Sequence, residues 1–511
     1  MKNVLGHLFF NKSLADRPLP ALLIGIVCCA FACRLFGINQ PFMDTNSWRE
    51  ADTAMIAENF YRAGYDIAHP RVNWSANTTG IVGTEFPALP FIAAVAYQLW
   101  GIQDWIGRLI PVVIFIWSIP SFFLLADRII GSRAALWAVT FYAFTPLGIV
   151  VSRSFMPDAV ALAFSVIGLY QFLRSTESGR FRDLAFSAIV LSGAILVKAP
   201  YAVVLAPVAY IALRTYGVQY VKSWQFWFLG SVVLLPSIFW YIHALRIPTA
   251  VFFLDSTRGH FFGERGIGIV TPKHILNILK RSWWPYFTPL PIVLGLAGFL
   301  LTGSSSRFGA LFHWWLLAMT LFVIADGPGN DSHHWYQLPF IPVCAAFSGK
   351  ALDWVFERFQ VPRAAPTLIA TTASLTLILC LMSYVGLRND YILRNTACVE
   401  AARELNISAP LSALVLVTDE GDPSCLYYAH RKGWHWWNPS NDRDAIESLE
   451  RYRAAGATYL LIDEYHLWFF DYYRGFSSYL NNTYAVRTVP NQFFIASLAA
   501  RLRKTASRPK P

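Results

Sequence analysis

Charge is scarce in this chain. Only 14% of its 511 residues are Asp, Glu, Lys or Arg, against about 25% in an average soluble domain, which excludes an ordinary soluble globular protein. Paired cysteines are missing too. None of the seven cysteines forms a Cys-x-x-Cys, so a zinc ribbon or a dithiol redox centre has no ligands. Cys28, Cys29, Cys33, Cys344 and Cys380 lie in or beside apolar runs, where Cys behaves as a small hydrophobe. No Walker loop occurs, and no Gly-x-Gly-x-x-Gly follows a strand, so a nucleotide donor has no evident seat. Internal repeats and low-complexity tracts are absent. The net charge of +11 is spread over short loops and makes no basic stripe interleaved with aromatics, so no nucleic-acid partner is expected. No small-residue cleavage site follows the first apolar run, which is expected to remain as a first span.

What the chain has instead is apolar length. Apolar residues make up 55% of it, in runs that recur from Ala21 to Leu387. Crossing a bilayer takes ~20 residues, and the reading is a polytopic α-helical membrane protein. Lys2, Lys12 and Arg17 place the N-terminus in the cytoplasm by the positive-inside rule. The basic loops at 127–133, 174–183, 214–223, 303–307 and 350–363 follow the same side. The segment 87–101, "PALPFIAAVAYQLWG", is too short to cross and holds two prolines. It reads as a juxtamembrane helix on the outer side. Spans are then expected near 20–37, 106–126, 134–151, 158–173, 184–197, 200–213, 225–245, 288–302, 308–325, 335–349 and 366–387. These are about eleven transmembrane helices, in a domain covering 1–388 with an outer loop at 39–103.

From 389 to 511 the composition changes. "SALVLVTD" and "ATYLLID" read as strands, "IESLERYRAAG" as a helix closed by Gly456, and "YAVRTVPNQFFIASL" as a last strand or hairpin. A small C-terminal α/β domain on the outer face is expected. Cys398 and Cys425 lie there, either bonded on an oxidising face or free.

The unusual polar residues gather on that outer face. "PFMDTNSWREADTAM" follows the first span and carries Asp44, Arg49, Glu50 and Asp52. Ser47 and Glu50 fit a capping box, opening an amphipathic helix with Ile56, Ala57, Phe60 and Tyr61 on one face. Asp44 precedes that helix and serves either as a turn cap or as a proton acceptor. Glu85 precedes a proline-started helix, and either favours its N-terminus or binds substrate. In "SRSFMPD" Pro157 and Asp158 suit a helix start, whereas Arg153 offers a fork that matches phosphate. Lys198, at membrane depth, either snorkels or functions. His334, Tyr336 and Gln337 in "DSHHWYQLPF" suit headgroup contacts, and two adjacent histidines make a poor metal pair. The loop 246–287 adds Arg258, His260, Arg265, Lys273 and Lys280 as phosphate-holding candidates. Asp442-x-Asp444 reads as helix capping rather than a nucleotide-sugar site.

The acidic first outer loop, the helix ending "LWGIQDWIGR", the "RSFMPD" corner and "HHWYQLPFIP" together resemble the C-type glycosyltransferases of family 39. That family includes protein O-mannosyltransferases, the lipid A aminoarabinose transferase and rhizobial galacturonosyltransferases. "SWREADTAMIAENFYRAG" and "GTEFP" look most like its bacterial branch, and the resemblance covers about 20–390. It implies an inverting transferase that moves a sugar from a polyprenyl-phosphate carrier to a cell-envelope acceptor: a lipopolysaccharide, glycolipid, polysaccharide or protein. The setting would be the outer face of a bacterial inner membrane. It implies a first-loop carboxylate as general base, a role that falls on Asp44. The usual Asp-Glu pair reads Arg49-Glu50 here, so Asp52 and Glu50 are candidates too. Arg49, Glu85, Asp158, His334, Tyr336 and Gln337 are then candidates for substrate binding. Arg153, Lys198, Arg258 and Arg265 are candidates for the lipid phosphate. No metal or other cofactor is expected. Rival readings are a transporter or flippase of lipid-linked glycans, a non-catalytic scaffold, and a polysaccharide ligase of related architecture.

Overall fold

The computed structural model describes residues 19–74, 76–247, 270–301, 306–362, 364–419, 421–436, 439–463, 472–489 and 493–501. Arg258, His260 and Arg265 lie outside them. The chain is a multi-pass, mostly helical membrane protein that divides into two compact units. The first comprises Met1–Asn39, Gly83–Leu89 and Trp105–Tyr391, and the second Gln40–Val82, Pro90–Asp104 and Ile392–Pro511.

Each of the eleven apolar segments is helical. The helices are α1 (Leu19–Leu35), α2 (Ser47–Ala63), α3 (Ala88–Trp100), α4 (Asp104–Ile130), α5 (Ser132–Phe144), α6 (Pro146–Arg153), α7 (Pro157–Ser178) and α8 (Phe181–Val197). A 3₁₀ turn, Ala199–Val204, leads to α9 (Leu205–Tyr216), α10 (Trp224–Arg246), α11 (Pro272–Arg281), α12 (Pro289–Leu301), α13 (Leu311–Ala325) and α14 (Gly327–Ser332). A second 3₁₀ turn, His334–Phe340, opens α15 (Ile341–Arg358), and α16 (Ala365–Leu387) follows. Among the described helices α4, α7, α10 and α16 are each long and apolar enough to cross a membrane, and α5 with α6 makes a pair bent by 52°. Pro146 at the start of α6 explains that bend, since proline cannot continue the hydrogen-bond ladder. α3 has 13 residues, short of the ~17 a crossing takes.

In the first unit α15 is packed on two sides through glycine. A Cβ on Gly298 of α12 would strike the Phe347 backbone, and one on Gly349 would strike Ala134 and Ala138 of α5. Small residues let helix backbones approach where lipid supplies no hydrophobic drive between helices.

The second unit joins the first loop to the tail. Its sheet has the order β2-β1-β3-β5-β4, from β1 (Leu414–Thr418), β2 (Gly433–His435), β3 (Ala457–Asp463), β4 (Tyr484–Val489) and β5 (Phe493–Arg501). β2, β1 and β3 are parallel, and β5 pairs antiparallel with β3 and β4. Strand alternation sends Leu416, Leu460, Ile462, Phe494 and Ala496 to one face, where they pack with Ala445, Leu449 and Phe476 of α19 (Asp442–Ala454) and α20 (Arg474–Thr483). The opposite face carries α17 (Thr396–Ser408) and α18 (Ser424–Ala429), which the Cys398–Cys425 disulfide links. The Asp-x-Asp serves its helix start in part: Asp444 reaches back to accept from Ser440 N at 2.8 Å. Asn441 caps α19 by accepting from the Asp444 amide, and Asp442 accepts from Phe476 N at 2.8 Å in the first turn of α20.

The loop 40–82 is expected from the sequence to belong with the membrane helices, but it is built into this unit. Arg394 N donates to Met43 O at 2.6 Å, Gly433 N to Asn73 O at 2.9 Å, and Ala76 N to Gly433 O at 3.2 Å. Trp48 Nε1 donates to Gly421 O at 2.9 Å. The capping box expected at the start of α2 does not form. Ser47 is already helical, Asn46 holds the cap position, and no side chain caps the helix. Nor is α2 an amphipathic surface helix: Glu50 to Glu58 are all buried while Tyr61 is exposed.

Arg431 anchors the tail. It is buried, and its guanidinium donates to Pro410 O at 3.1 Å, Leu405 O at 3.3 Å and Ala409 O at 2.6 Å, and also to Asn406 and Ala429. It thereby places a cation at the C-terminal end of α17, where the helix dipole favours one, adding a second donor to Leu405 O and Pro410 O, which also accept from Ala409 N and Ala413 N. Lysine keeps the charge and loses the fork. Arg431→Lys is expected to destabilise this unit by about 2 kcal/mol, the scale of charged hydrogen bonds, read as a lower thermal midpoint of the full-length protein.

Candidate functional site

Lys198 occupies a break that the sequence enforces. Pro200 in the first turn of the 3₁₀ segment stops α8 at Val197, so Lys198 is extended (φ −158, ψ 100). The break is held by Tyr241, whose hydroxyl accepts from Ala199 N at 3.1 Å and donates to Leu196 O at 3.3 Å. The Lys198 ammonium donates to Glu85 Oε1 at 2.8 Å and lies 3.8 Å from Asp158 Oδ2. The Tyr336 ring lies 5.4 Å from it. Relative exposures are 5% for Lys198, 8% for Glu85 and 1% for Asp158.

Each partner is placed by local structure. Asp158 sits in the first turn of α7 behind Pro157, where the helix dipole favours a carboxylate. Glu85 is held between two clamps. Trp240 Nε1 donates to Thr84 O at 3.0 Å, and the Phe86 ring meets Trp240 edge-on at 4.9 Å. Tyr336 belongs to a corner in which Gln337 Nε2 donates to Asn330 O at 2.7 Å and Asn330 Nδ2 to Asp326 O at 2.8 Å. His334 stacks on Tyr286 at 4.6 Å, and its Nε2 is buried with no hydrogen-bond partner among the described residues. The first unit thus brings together Glu85, Asp158, Lys198 and Tyr336, with His334 and Gln337 on the same corner.

Other candidates are placed differently. Arg153 is buried, donates to Gly37 O at 3.0 Å, and lies 4.4 Å over the Tyr391 ring. In the second unit Asp44 Oδ1 accepts from Asn46 N at 3.3 Å, the turn geometry that Asp commonly caps. Glu50 is fully buried, and Arg49 is partly exposed. Asp52 accepts from Trp74 Nε1 at 3.1 Å. The second unit also holds Glu58, unremarked in the sequence, which accepts from Arg62 at 2.6 Å and contacts His430 Nδ1 at 2.9 Å.

Sequence reading also missed Arg281 and Trp240. Arg281 donates to Asn330 O at 2.8 Å and to Asp331 O, which ties α11 to the corner. Its place at the end of a basic loop was the available signal. Trp240 lies inside an apolar run and gave none. No group of three or more His, Cys, Asp or Glu converges as a metal-ligand set among the described residues.

Residues 84–242 match the family of dolichyl-phosphate-mannose-protein mannosyltransferases. That stretch contains Glu85, Arg153, Asp158 and Lys198. No protein of curated function matches the chain by sequence. Among solved structures, ArnT from Cupriavidus metallidurans bound to undecaprenyl phosphate superposes with a TM-score of 0.67 at 14% identity, over 93% of this chain and 97% of that one. Its apo state gives 0.65 at 14% identity, over 94% and 98%. The Archaeoglobus fulgidus oligosaccharyltransferase in the apo form gives 0.56 at 13% identity, over 96% of this chain and 75% of that one. The chain has the C-type glycosyltransferase fold expected from its motifs.

Removing one partner of a buried ion pair leaves the other charge uncompensated, at about 3–5 kcal/mol. Lys198→Met is expected to lower the thermal midpoint and the folded yield sharply. Adding Glu85→Gln should restore part of both, as read by size-exclusion and melting of detergent-solubilised protein.

Proposed function

We propose that this protein is an inverting glycosyltransferase that moves a sugar from a polyprenyl-phosphate carrier to a hydroxyl of a cell-envelope acceptor. The setting is the outer face of a bacterial inner membrane, with the N-terminus cytoplasmic. The observation that carries this reading is the buried Lys198–Glu85–Asp158 cluster at one end of a bundle with the C-type transferase fold. The undecaprenyl phosphate bound in ArnT supports the same class of carrier here.

The chemistry asks for two things. An acceptor hydroxyl is a poor nucleophile until a carboxylate takes its proton. The departing lipid phosphate carries charge that a fixed cation stabilises as it develops. Lys198 is assigned the second role. The base is assigned to a carboxylate with Asp44 as first candidate, by its resemblance to the family's first-loop acid, and Asp158 as second. Glu50 and Asp52 stay candidates from the same loop as Asp44: burial does not separate the four, with exposures of 2% for Asp44, 1% for Asp158, 6% for Asp52 and 0% for Glu50. No metal is required by this scheme, because the cation is supplied by the chain.

The cluster's charge gives the scheme a sharp consequence. With Lys198, Glu85 and Asp158 all ionised, the cluster carries one net negative charge. A phosphate must therefore compete with Glu85 for the ammonium. Glu85→Gln removes that competitor and is expected to tighten undecaprenyl-phosphate binding several-fold, whereas Lys198→Met in the Glu85→Gln background should abolish it. Binding is measured on the full-length protein in nanodiscs.

The transfer itself is tested in cells, by mass spectrometry of envelope glycolipids from strains carrying wild type, Asp44→Asn or Asp158→Asn. Deletion is expected to remove a sugar-sized mass that wild type restores and Asp44→Asn does not, with a loss of at least 100-fold, the scale of general-base catalysis at ~10²–10⁴. Loss with Asp158→Asn alone moves the base to Asp158. An unchanged glycan mass on deletion overturns the transferase and favours transport or a scaffold.

A further inference from the structure

The second unit holds an acid–imidazole pair that the proposed transfer does not use. Asp419 follows β1 directly, and His435 ends β2, so both sit at the carboxyl edge of the parallel strands. The order β2-β1-β3 puts the switch point of this open α/β sheet between β1 and β3, and Asp419 and His435 lie beside it, on the β1–β2 side of the same carboxyl edge. His435 Nδ1 and Asp419 Oδ1 are 2.7 Å apart. The Asp419 side chain is 2% exposed and that of His435 13%. The second carboxylate oxygen of Asp419 is buried with no hydrogen-bond partner among the described residues. Burial pushes the Asp419 carboxyl up to about 6, with His435 partly offsetting the rise. The carboxylate thus holds Nδ1 and leaves Nε2 as the ring nitrogen available to a ligand. The Trp74 ring lies 6.4 Å from the imidazole at 36°, and its indole nitrogen is bonded to Asp52.

The surroundings select the ligand. Asp52 and Asp422 add carboxylates beside the pair's own, and the guanidinium of Arg431 is occupied by α17. An anion is disfavoured there. A neutral ligand rich in hydroxyls suits an imidazole, carboxylates and an indole ring at once, since hydroxyls both donate and accept and a sugar's C–H face packs on an aromatic.

We infer that the carboxyl edge of the tail sheet, at His435 and Trp74, is a binding site for the glycan portion of the acceptor. His435 contacts ligand hydroxyls, and Asp419 is a positioning residue that acts through it. This deepens the transferase reading and rests on it for the identity of the ligand as acceptor.

The test uses full-length protein in nanodiscs and two probes: the envelope glycolipid extract of a deletion strain, and undecaprenyl phosphate. His435→Ala is expected to weaken extract binding at least tenfold with undecaprenyl-phosphate binding and melting unchanged. His435→Gln, whose amide reaches the position of Nε2, should stay within threefold of wild type. Asp419→Asn should weaken binding in the wild-type background and add nothing in His435→Ala, the coupling expected of a residue acting through another. Wild-type affinity in His435→Ala, equal weakening toward both probes, or no extract binding by wild type overturns the site. If wild type binds the extract through His435 yet moves no sugar in cells, the transferase reading falls and the glycan site stands. If sugar is transferred in cells while His435→Ala leaves extract affinity unchanged, the glycan site falls and the transferase reading stands.

Discussion

A lysine sealed at the end of a helix bundle has to be matched by charge, and the first unit is arranged around that requirement. Lys198 meets Glu85 at 2.8 Å and Asp158 at 3.8 Å in surroundings that leave each less than a tenth exposed. Taking an ion from water into such a place costs several kcal/mol even after relaxation. The cost is bearable only if the partners cannot move away. Trp240 fixes the segment carrying Glu85, Pro157 fixes the turn carrying Asp158, and Pro200 with Tyr241 fixes the break carrying Lys198. Such fixed geometry is what electrostatic catalysis asks for, because dipoles and charges already in place cost nothing to reorganise as charge develops.

Further buried cations support the same end of the bundle. Arg34, fully buried in α1, donates to Ser152 at 2.6 Å, Ala30 O at 2.9 Å and Ala143 O at 3.0 Å, and lies 4.5 Å over Phe115. It joins α1, α4, α5 and α6. Arg153 caps the turn after α1 through Gly37 O, where Gly37 has a φ of 65 that a side chain would disfavour. A fork suited to phosphate is also suited to a backbone carbonyl and an aromatic face, and here Gly37 O and the Tyr391 ring meet it. That is why a guanidinium flanking a conspicuous corner does not by itself mark an anion site.

The longer helices were legible because their signal is local. Apolar runs bounded by glycine, proline and charge located them, and short apolar runs located β1, β3 and the β4–β5 segment. The pairing of Glu85 with Lys198 was not legible: the two are separated by 113 positions, and each had a plausible solitary role at a membrane edge. The first loop hid its partners for the same reason. A loop between two apolar segments reads as part of the membrane domain, yet Asn73 and Ala76 hydrogen-bond to Gly433 and Met43 to Arg394. Those bonds join backbone groups, which carry no residue signature. The short α18 and β2 were missed because six and three residues are too few to show a period.

The loop's inclusion in the tail unit also changes what its acidic residues mean. Four charges close together after a span read as a catalytic cluster, but their environments now differ. Glu50 is fully buried, Arg49 is partly exposed and Asp52 accepts from Trp74, while Asp44, also buried, sits in a turn and accepts from the Asn46 amide at 3.3 Å. A carboxylate has two oxygens with about four acceptor sites, so one turn bond does not use them all. Capping a turn and taking a proton are therefore not exclusive roles for Asp44. A short polar side chain that fixes its own backbone also has its carboxylate aimed before any substrate arrives.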